Sequence, residues 1–225
     1  MRVLFIGNSH TYFNDMPHLF ARMCACLTGE QPEVTMLAYS DRSLAWHREE
    51  YFAVRFALLY GNYDFCVLQQ QAHPFPGETS TFESARRIFS LCPAETKPVV
   101  YMTWAQRGDG ENAARMSRAY RALAAECEAL LVPVGELFAT LQEKRPDIDL
   151  YWHDGAHVSP YGDWLIAAAF AKILCGKRDL SALPDTGIDF QADFAGPTAL
   201  ENPAQAVVRL NPEKLKILRD AVERL

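Results

Sequence analysis

The chain has 225 residues, of which 49% are hydrophobic, 12% aromatic and 22% charged; that is the composition of a globular domain and excludes a disordered chain. A chain of this length buries roughly 70% of its unfolded surface and needs neither metal nor disulfide staples to hold a core. Its 22 basic and 28 acidic residues, net −6, are scattered along the chain, which excludes a nucleic-acid partner, because phosphate binding wants a clustered basic face.

The first element is a predicted strand over Arg2 to Ile6, followed by a helix from Asp15 to Leu27 and a strand from Glu33 to Ala38. A helix is predicted from Ser43 to Tyr60, a strand from Asp64 to Gln69, a helix from Thr79 to Leu91 and a strand from Pro98 to Thr103. Then come a helix from Glu111 to Ala129, a strand from Leu130 to Val134, a short helix from Val134 to Glu143 and an amphipathic helix from Pro160 to Leu174. The strands are short, β-branched or aromatic, and suited to burial on both faces; the helical segments carry apolar residues three or four apart.

Alternation of this kind predicts an α/β fold: a three-layer α/β/α sandwich on a doubly wound, five-stranded parallel sheet, flavodoxin-like, with order 2-1-3-4-5. From Gly176 to Leu210 the chain turns to Pro, Gly, Asp and Ala, and Pro212 to Leu225 resumes a helical pattern. The expected organisation is one domain over residues 1–176 with an extension over 177–225 packed on it.

The longest apolar candidate, Trp164 to Cys175, falls short of the ~18–20 residues a membrane span needs. The apolar run at the N-terminus stops at Gly7-Asn8-Ser9, far short of a secretory h-region. Cys24, Cys26, Cys66, Cys92, Cys127 and Cys175 fall mostly in apolar segments and read as reduced, buried thiols, so the expected location is cytoplasmic. Cys24-Ala25-Cys26 lacks the spacing and the second pair of a zinc site.

In a doubly wound sheet the working crevice lies beyond the carboxyl ends of the strands. Gly7-Asn8-Ser9-His10-Thr11 follows the first strand, where Gly7 permits a tight turn and the next helix offers backbone N–H groups to a developing oxyanion; as a bare pattern, Ser9 is equally a turn or cap residue. Further on stands Asp154-Gly155-Ala156-His157-Val158-Ser159-Pro160. Ser159 before Pro160 is an N-cap with proline at the first helical position. Asp154 can therefore reach Nδ1 of His157 from the preceding loop and leave Nε2 for a serine, as a Ser-His-Asp system requires. The plain alternative is a surface turn.

Taken together, Gly7-Asn8-Ser9 after an N-terminal strand and Asp154-x-x-His157 near the end resemble the SGNH (GDSL-type) hydrolase superfamily, whose nucleophile block is G-[DN]-S and whose acid-base block is D-x-x-H. The resemblance is closest to a bacterial branch with a GNS-[FYH]-T first block and covers Arg2 to about Cys175. It implies a catalytic triad of Ser9, Asp154 and His157. Two inner blocks depart from the pattern. Asp41 stands at the glycine whose N–H joins the oxyanion hole, a position where aspartate tolerates positive φ better than most residues. Gln71 stands at the oxyanion asparagine, its amide one methylene further out. Asn8 reads as a brace for the loop, and His18 and His47 as structural.

The resemblance implies a serine esterase acting through an acyl-enzyme on a short-chain acyl ester, with a carbohydrate O-acetyl group as one substrate class, and no cofactor. The oxyanion hole would be Ser9, Asp41 and Gln71; His10, Gln69 and Trp104 would line the substrate pocket. Partners are limited to the small-molecule or carbohydrate ester, and the oligomeric state is not legible. The altered inner blocks leave open a ligand-binding protein with a decayed site. The histidines near the crevice leave open a metal-assisted hydrolase, although no metal-motif spacing is present.

Overall fold

The five predicted strands pair in one parallel sheet: β1 (Arg2–Gly7), β2 (Glu33–Ala38), β3 (Phe65–Gln69), β4 (Lys97–Tyr101) and β5 (Leu130–Val132), in the order β2-β1-β3-β4-β5. The last strand stops two residues early because Pro133 has no N–H to continue the ladder. The computed structural model describes residues 1–189 and 206–225. They form two compact units, residues 1–11 with 32–139 and residues 12–31 with 140–225.

The first unit holds the whole sheet. Every second residue along the central strands, Leu4 and Ile6, Cys66 and Leu68, Val100 and Met102, enters one core cluster, as the two-residue period of a strand dictates. Helices cover it: α4 (Tyr51–Gly61) with Val54 and Leu58, α5 (Glu78–Phe89) with Ala85 and Ile88, and α6 (Gly110–Glu126) with Met116, Tyr120 and Leu123. The alternate residues Val3, Phe5, Val67 and Val99 are equally buried, so the strands are apolar on both sides. The helix predicted over Ser43 to Tyr60 is two helices, α3 (Leu44–Glu49) and α4, separated at Glu50, whose ψ of 44° is not helical. The outer side of α4 carries Phe52, Phe56 and Tyr60, all exposed and ring to ring at 5.9 and 6.0 Å. α7 (Val134–Lys144) follows β5.

A short helix, α1 (Ser9–Tyr12), and a 3-10 turn (Phe13–Asp15) precede α2 (Met16–Thr28). Sequence patterning did not indicate either, because the turn is held by two successive left-handed residues, Asn14 at φ 52° and Asp15 at φ 57°. The second unit is built around α2 and α8 (Pro160–Cys175). Eleven residues of α8 are buried, including Trp164 through Ala171 without a break, so it needs cover on all sides. Ser159 caps it as expected, accepting from Tyr161 N and Gly162 N at 3.2 Å.

The C-terminal pieces belong to this unit together with α2 and α8. Residues 190–205 of the expected extension lie outside the described residues. The remainder forms an antiparallel pair, β6 (Thr186–Ile188) with β7 (Val207–Arg209), and α9 (Pro212–Glu223). Trp164 Nε1 donates to Pro184 O at 2.9 Å, and Lys172 Nζ donates to the carbonyls of Val222 and Glu223. The six cysteines are thiols.

Gly135, in the first turn of α7, donates its N–H to Met102 O at 3.1 Å, and a Cβ there would collide with the Thr103 carbonyl oxygen. Backbone cannot yield as a side-chain tip can. Gly135→Ala is therefore expected to lower the urea midpoint by the equivalent of about 1–3 kcal/mol; a midpoint equal to the parent's would contradict this close approach.

Candidate active site

In a parallel sheet all strands end on one edge, so the residues after β1, β2, β3 and β4 converge there. Ser9 opens α1 directly after the β1 turn and is buried. Buried amides hold that turn. Gln69 Oε1 accepts from Asn8 N at 2.7 Å and from Thr11 Oγ1 at 2.9 Å, while Gln69 Nε2 donates to Gln70 O. Asn8 Oδ1 accepts from His10 N at 3.0 Å and its Nδ2 donates to Arg42 O, so the asparagine braces the loop that carries Ser9. His47 donates Nε2–H to Gly7 O at 2.8 Å, and burial holds its pKa below the ordinary value, which keeps it neutral.

The three residues expected to line a pocket, His10, Gln69 and Trp104, are all buried. Gln69 is wholly buried, with both ends of its amide engaged, and braces the turn. Trp104 is also buried, stacked on Phe138 at 4.6 Å and against His10 at 5.0 Å. The cause is the same for both: a side chain at the very end of a central strand, or just past it, still lies within the layer of the core. His10 touches His73 ring to ring at 5.1 Å. His73 in turn lines a cleft of about 720 Å³ with Phe75, Gln106, Asn112, Arg115 and Arg118.

Asp41 adopts φ 58°, the left-handed geometry that a glycine would take at no cost. Gln71 Nε2 donates to Asp41 Oδ1 at 2.8 Å, so the two departures from the usual blocks are partners of each other. One of the two amide hydrogens of Gln71 is used in this bond. Gln70 turns the other way, as strand alternation expects: its Oε1 accepts from Leu44 N and Gln71 N and its Nε2 donates to Thr81 Oγ1.

In the second unit Asp154 and His157 form a dyad. Asp154 Oδ2 meets His157 Nδ1 at 2.6 Å, and Asp154 Oδ1 accepts the backbone N–H of Ala156 and of His157, each at 2.9 Å. Burial pushes the Asp154 pKa upward, but the ring and the two backbone donors outweigh it and hold the carboxyl below the usual range. The loop is closed by Trp152 N donating to His157 O at 2.8 Å and by Gly155 at φ 71°. Phe13 stacks on the His157 ring at 4.6 Å and 22°, and Asn14 Nδ2 donates to Val158 O at 3.2 Å. This strap was not legible beforehand. Among the described residues no three His, Cys, Asp or Glu side chains are grouped so as to hold a metal ion, and no helix is long and apolar enough to cross a membrane.

No protein-family profile and no curated protein matches the sequence. Solved structures do match in fold. A DUF4886 family protein from Bacteroides uniformis superposes with a TM-score of 0.69 at 14% identity over 100% of this chain and 93% of that one. A lipase/acylhydrolase from Enterococcus faecalis gives 0.64 at 14% identity, over 78% and 96%. A catalytic mutant of an acetylxylan esterase from Geobacillus stearothermophilus gives 0.60 at 15% identity, over 77% and 93%. The chain shares its α/β fold, a parallel sheet of order β2-β1-β3-β4-β5, with these solved structures.

A depressed carboxylate pKa stabilises the fold at pH values above the unfolded value of ~3.9, and the contribution disappears as the pH falls through the folded value. Asp154→Asn is therefore expected to lower stability at pH 7, with the gap from the parent closing as the pH falls below about 4. Urea titrations across that range read it, and a gap independent of pH would contradict the ionised dyad.

Proposed function

We propose that the protein is a serine esterase, with Ser9 as nucleophile, His157 as general base and Asp154 as the residue that orients and supports the imidazole. The observation that carries this reading is the dyad: Asp154 Oδ2 lies 2.6 Å from His157 Nδ1 and Oδ1 accepts two backbone N–H groups, an arrangement that an ionised Asp154 makes with the tautomer carrying its proton on Nδ1. Nε2 is then the acceptor for a serine proton. The braced turn at Ser9 and the fold shared with lipases and esterases point the same way.

In this reaction Ser9 Oγ attacks the ester carbonyl as its proton passes to His157 Nε2. The tetrahedral oxyanion is met by the N–H groups of Ser9 and Asp41 and by the second amide hydrogen of Gln71, with Asp41 Oδ1 steering that amide. His157 returns the proton to the departing alcohol, and water then repeats the sequence on the acyl-enzyme. Donors set in place before the charge develops are where such sites gain most of their rate, and the Gln71–Asp41 bond supports that role for Gln71.

The substrate class we infer is a short acyl ester on a carbohydrate. The cleft beside His73 has an apolar side, Ala72, Pro74 and Phe75, facing amides, guanidinium groups and carboxylates, a mixed lining suited to the apolar face and the hydroxyl groups of a sugar. Arg115 is oriented for this: Nε and Nη2 both donate to Asn112 Oδ1, and the guanidinium lies 5.5 Å over the Phe75 ring. One of the solved structures of this fold is an acetylxylan esterase.

Labelling of intact protein with a fluorophosphonate, followed by peptide mapping, is expected to mark Ser9. Ser9→Ala should abolish labelling and lower ester hydrolysis on the order of 10³-fold or more at unchanged folding stability. A folded variant that keeps its activity would remove Ser9 from the mechanism, and an unlabelled, inactive parent would favour a binding protein. For the alcohol side, Arg115→Ala should raise KM for an acetylated oligosaccharide several-fold while leaving p-nitrophenyl acetate hydrolysis unchanged. Equal effects on both esters would take the cleft out of substrate recognition.

A further inference from the structure

The second unit contains a pair of thiols that the esterase reading does not use. Cys24 lies on α2, fully buried, one turn before the Gly29 cap; Cys175 is the last residue of α8 and half-buried. Their sulfurs are hydrogen-bonded at 3.1 Å, about 1 Å beyond the ~2.05 Å of a disulfide bond. α2 and α8 pack side by side, which holds the two sulfurs next to each other.

We propose that Cys24 and Cys175 are a reversible thiol–disulfide pair, oxidised by low-molecular-weight disulfides of the glutathione type. Cys175 is the entry point, since its sulfur is the more accessible. Its thiolate attacks one sulfur of the disulfide RSSR, forming a Cys175–SR mixed disulfide and releasing one RS⁻. The Cys24 thiolate then attacks Cys175 Sγ, forming the Cys24–Cys175 bond and releasing the second RS⁻. Two thiols lose two electrons and two protons, and one RSSR becomes two RSH.

The electrostatics support this division of labour. The hydrogen bond between the two sulfurs holds the Cys175 thiol below its ordinary pKa, with Lys177 adding to the effect, while the same bond and burial push Cys24 upward. The attacking sulfur is thus the exposed one and the resolving sulfur the protected one. Cys66 and Cys92 are also hydrogen-bonded to each other, but Cys66 sits in the middle of β3, paired to Leu4 and Pro98 in the ladder, where its sulfur is locked in the core.

The bond would join residues 151 apart in sequence, so it would remove a great deal of freedom from the unfolded chain. It would also tie together, at their C-terminal portions, the two helices whose N-terminal ends carry the Phe13–Asn14 strap and the His157 loop. Oxidation is expected to raise stability while leaving the chemical groups of that loop untouched.

The test uses the full-length chain in glutathione buffers of graded redox ratio. Under oxidising buffer, non-reducing peptide mapping should yield a Cys24–Cys175 crosslinked peptide and thiol titration should fall by two. The melting temperature should rise by roughly 5–15 °C and return on reduction. Cys175→Ser, at a half-buried helix end, should abolish the shift while its reduced melting temperature matches the parent's; Cys24→Ala should also abolish it. Cys66→Ser, or Cys92→Ser if the former fails to fold, should keep the shift. Mixed glutathione adducts without the crosslinked peptide, or a crosslink through Cys26, would overturn the proposal, as would a shift that survives Cys175→Ser.

Discussion

The carboxamide of Gln69 is the interaction on which the nucleophile turn depends. Its Oε1 accepts the Asn8 N–H and the Thr11 hydroxyl, both buried. It also fills the space where a Cβ on Gly7 would stand, so that β1 must end in glycine for the turn to close over the amide. A buried acceptor left without either donor costs about 1–3 kcal/mol. The turn is therefore tied to the sheet: strands β1 and β3 are neighbours in register, and the residue that ends β3 closes the loop that leaves β1. Ser9 inherits its position from a hydrogen bond made in the core.

The acid–base half is organised by a different economy, entirely local. Asp154 gathers two backbone N–H groups from its own loop and the ring of a residue three positions on. Such an arrangement is an Asx-type turn that happens to end on a histidine, and the proline-capped helix that follows stops the loop from unwinding. Because the donors are backbone groups, almost any side chain at Ala156 would serve. Only Asp154, Gly155 with its positive φ, and His157 are constrained.

Legibility in the sequence followed the same split. The strands and most helix limits could be read because apolar periodicity and capping residues are local signals: Ser159 before Pro160 caps its helix. The D-x-x-H spacing showed the dyad for the same reason. Gln69 could not be read, since its role depends on a strand sixty residues away. Nor could the break at Glu50, which falls inside an unbroken apolar period, or the left-handed Asn14 and Asp15, where nothing but the fold around them compensates the strain. The Gln71–Asp41 bond joins two substitutions that the sequence presented as separate departures.

Two carboxyl groups nine residues apart in the second unit show how strongly local donors decide protonation. Asp154 is partly exposed and receives three hydrogen bonds, which keeps it ionised. Asp163, in the first turn of α8, is fully buried, and neither of its oxygens has a hydrogen-bond partner. Burial first, and then the neighbouring Asp15 carboxylate, push its pKa well up, so it holds its proton at neutral pH. Linkage gives the two opposite signs: Asp154 adds stability above the unfolded carboxylate pKa, whereas folding must take up a proton at Asp163 once the pH exceeds that value. A neutral Asp163 adds no charge to the base of the helix behind His157. The fixed negative charge facing the imidazole Nδ1 is therefore the Asp154 carboxylate, and an anion in that one place favours the ring tautomer that carries its proton on Nδ1.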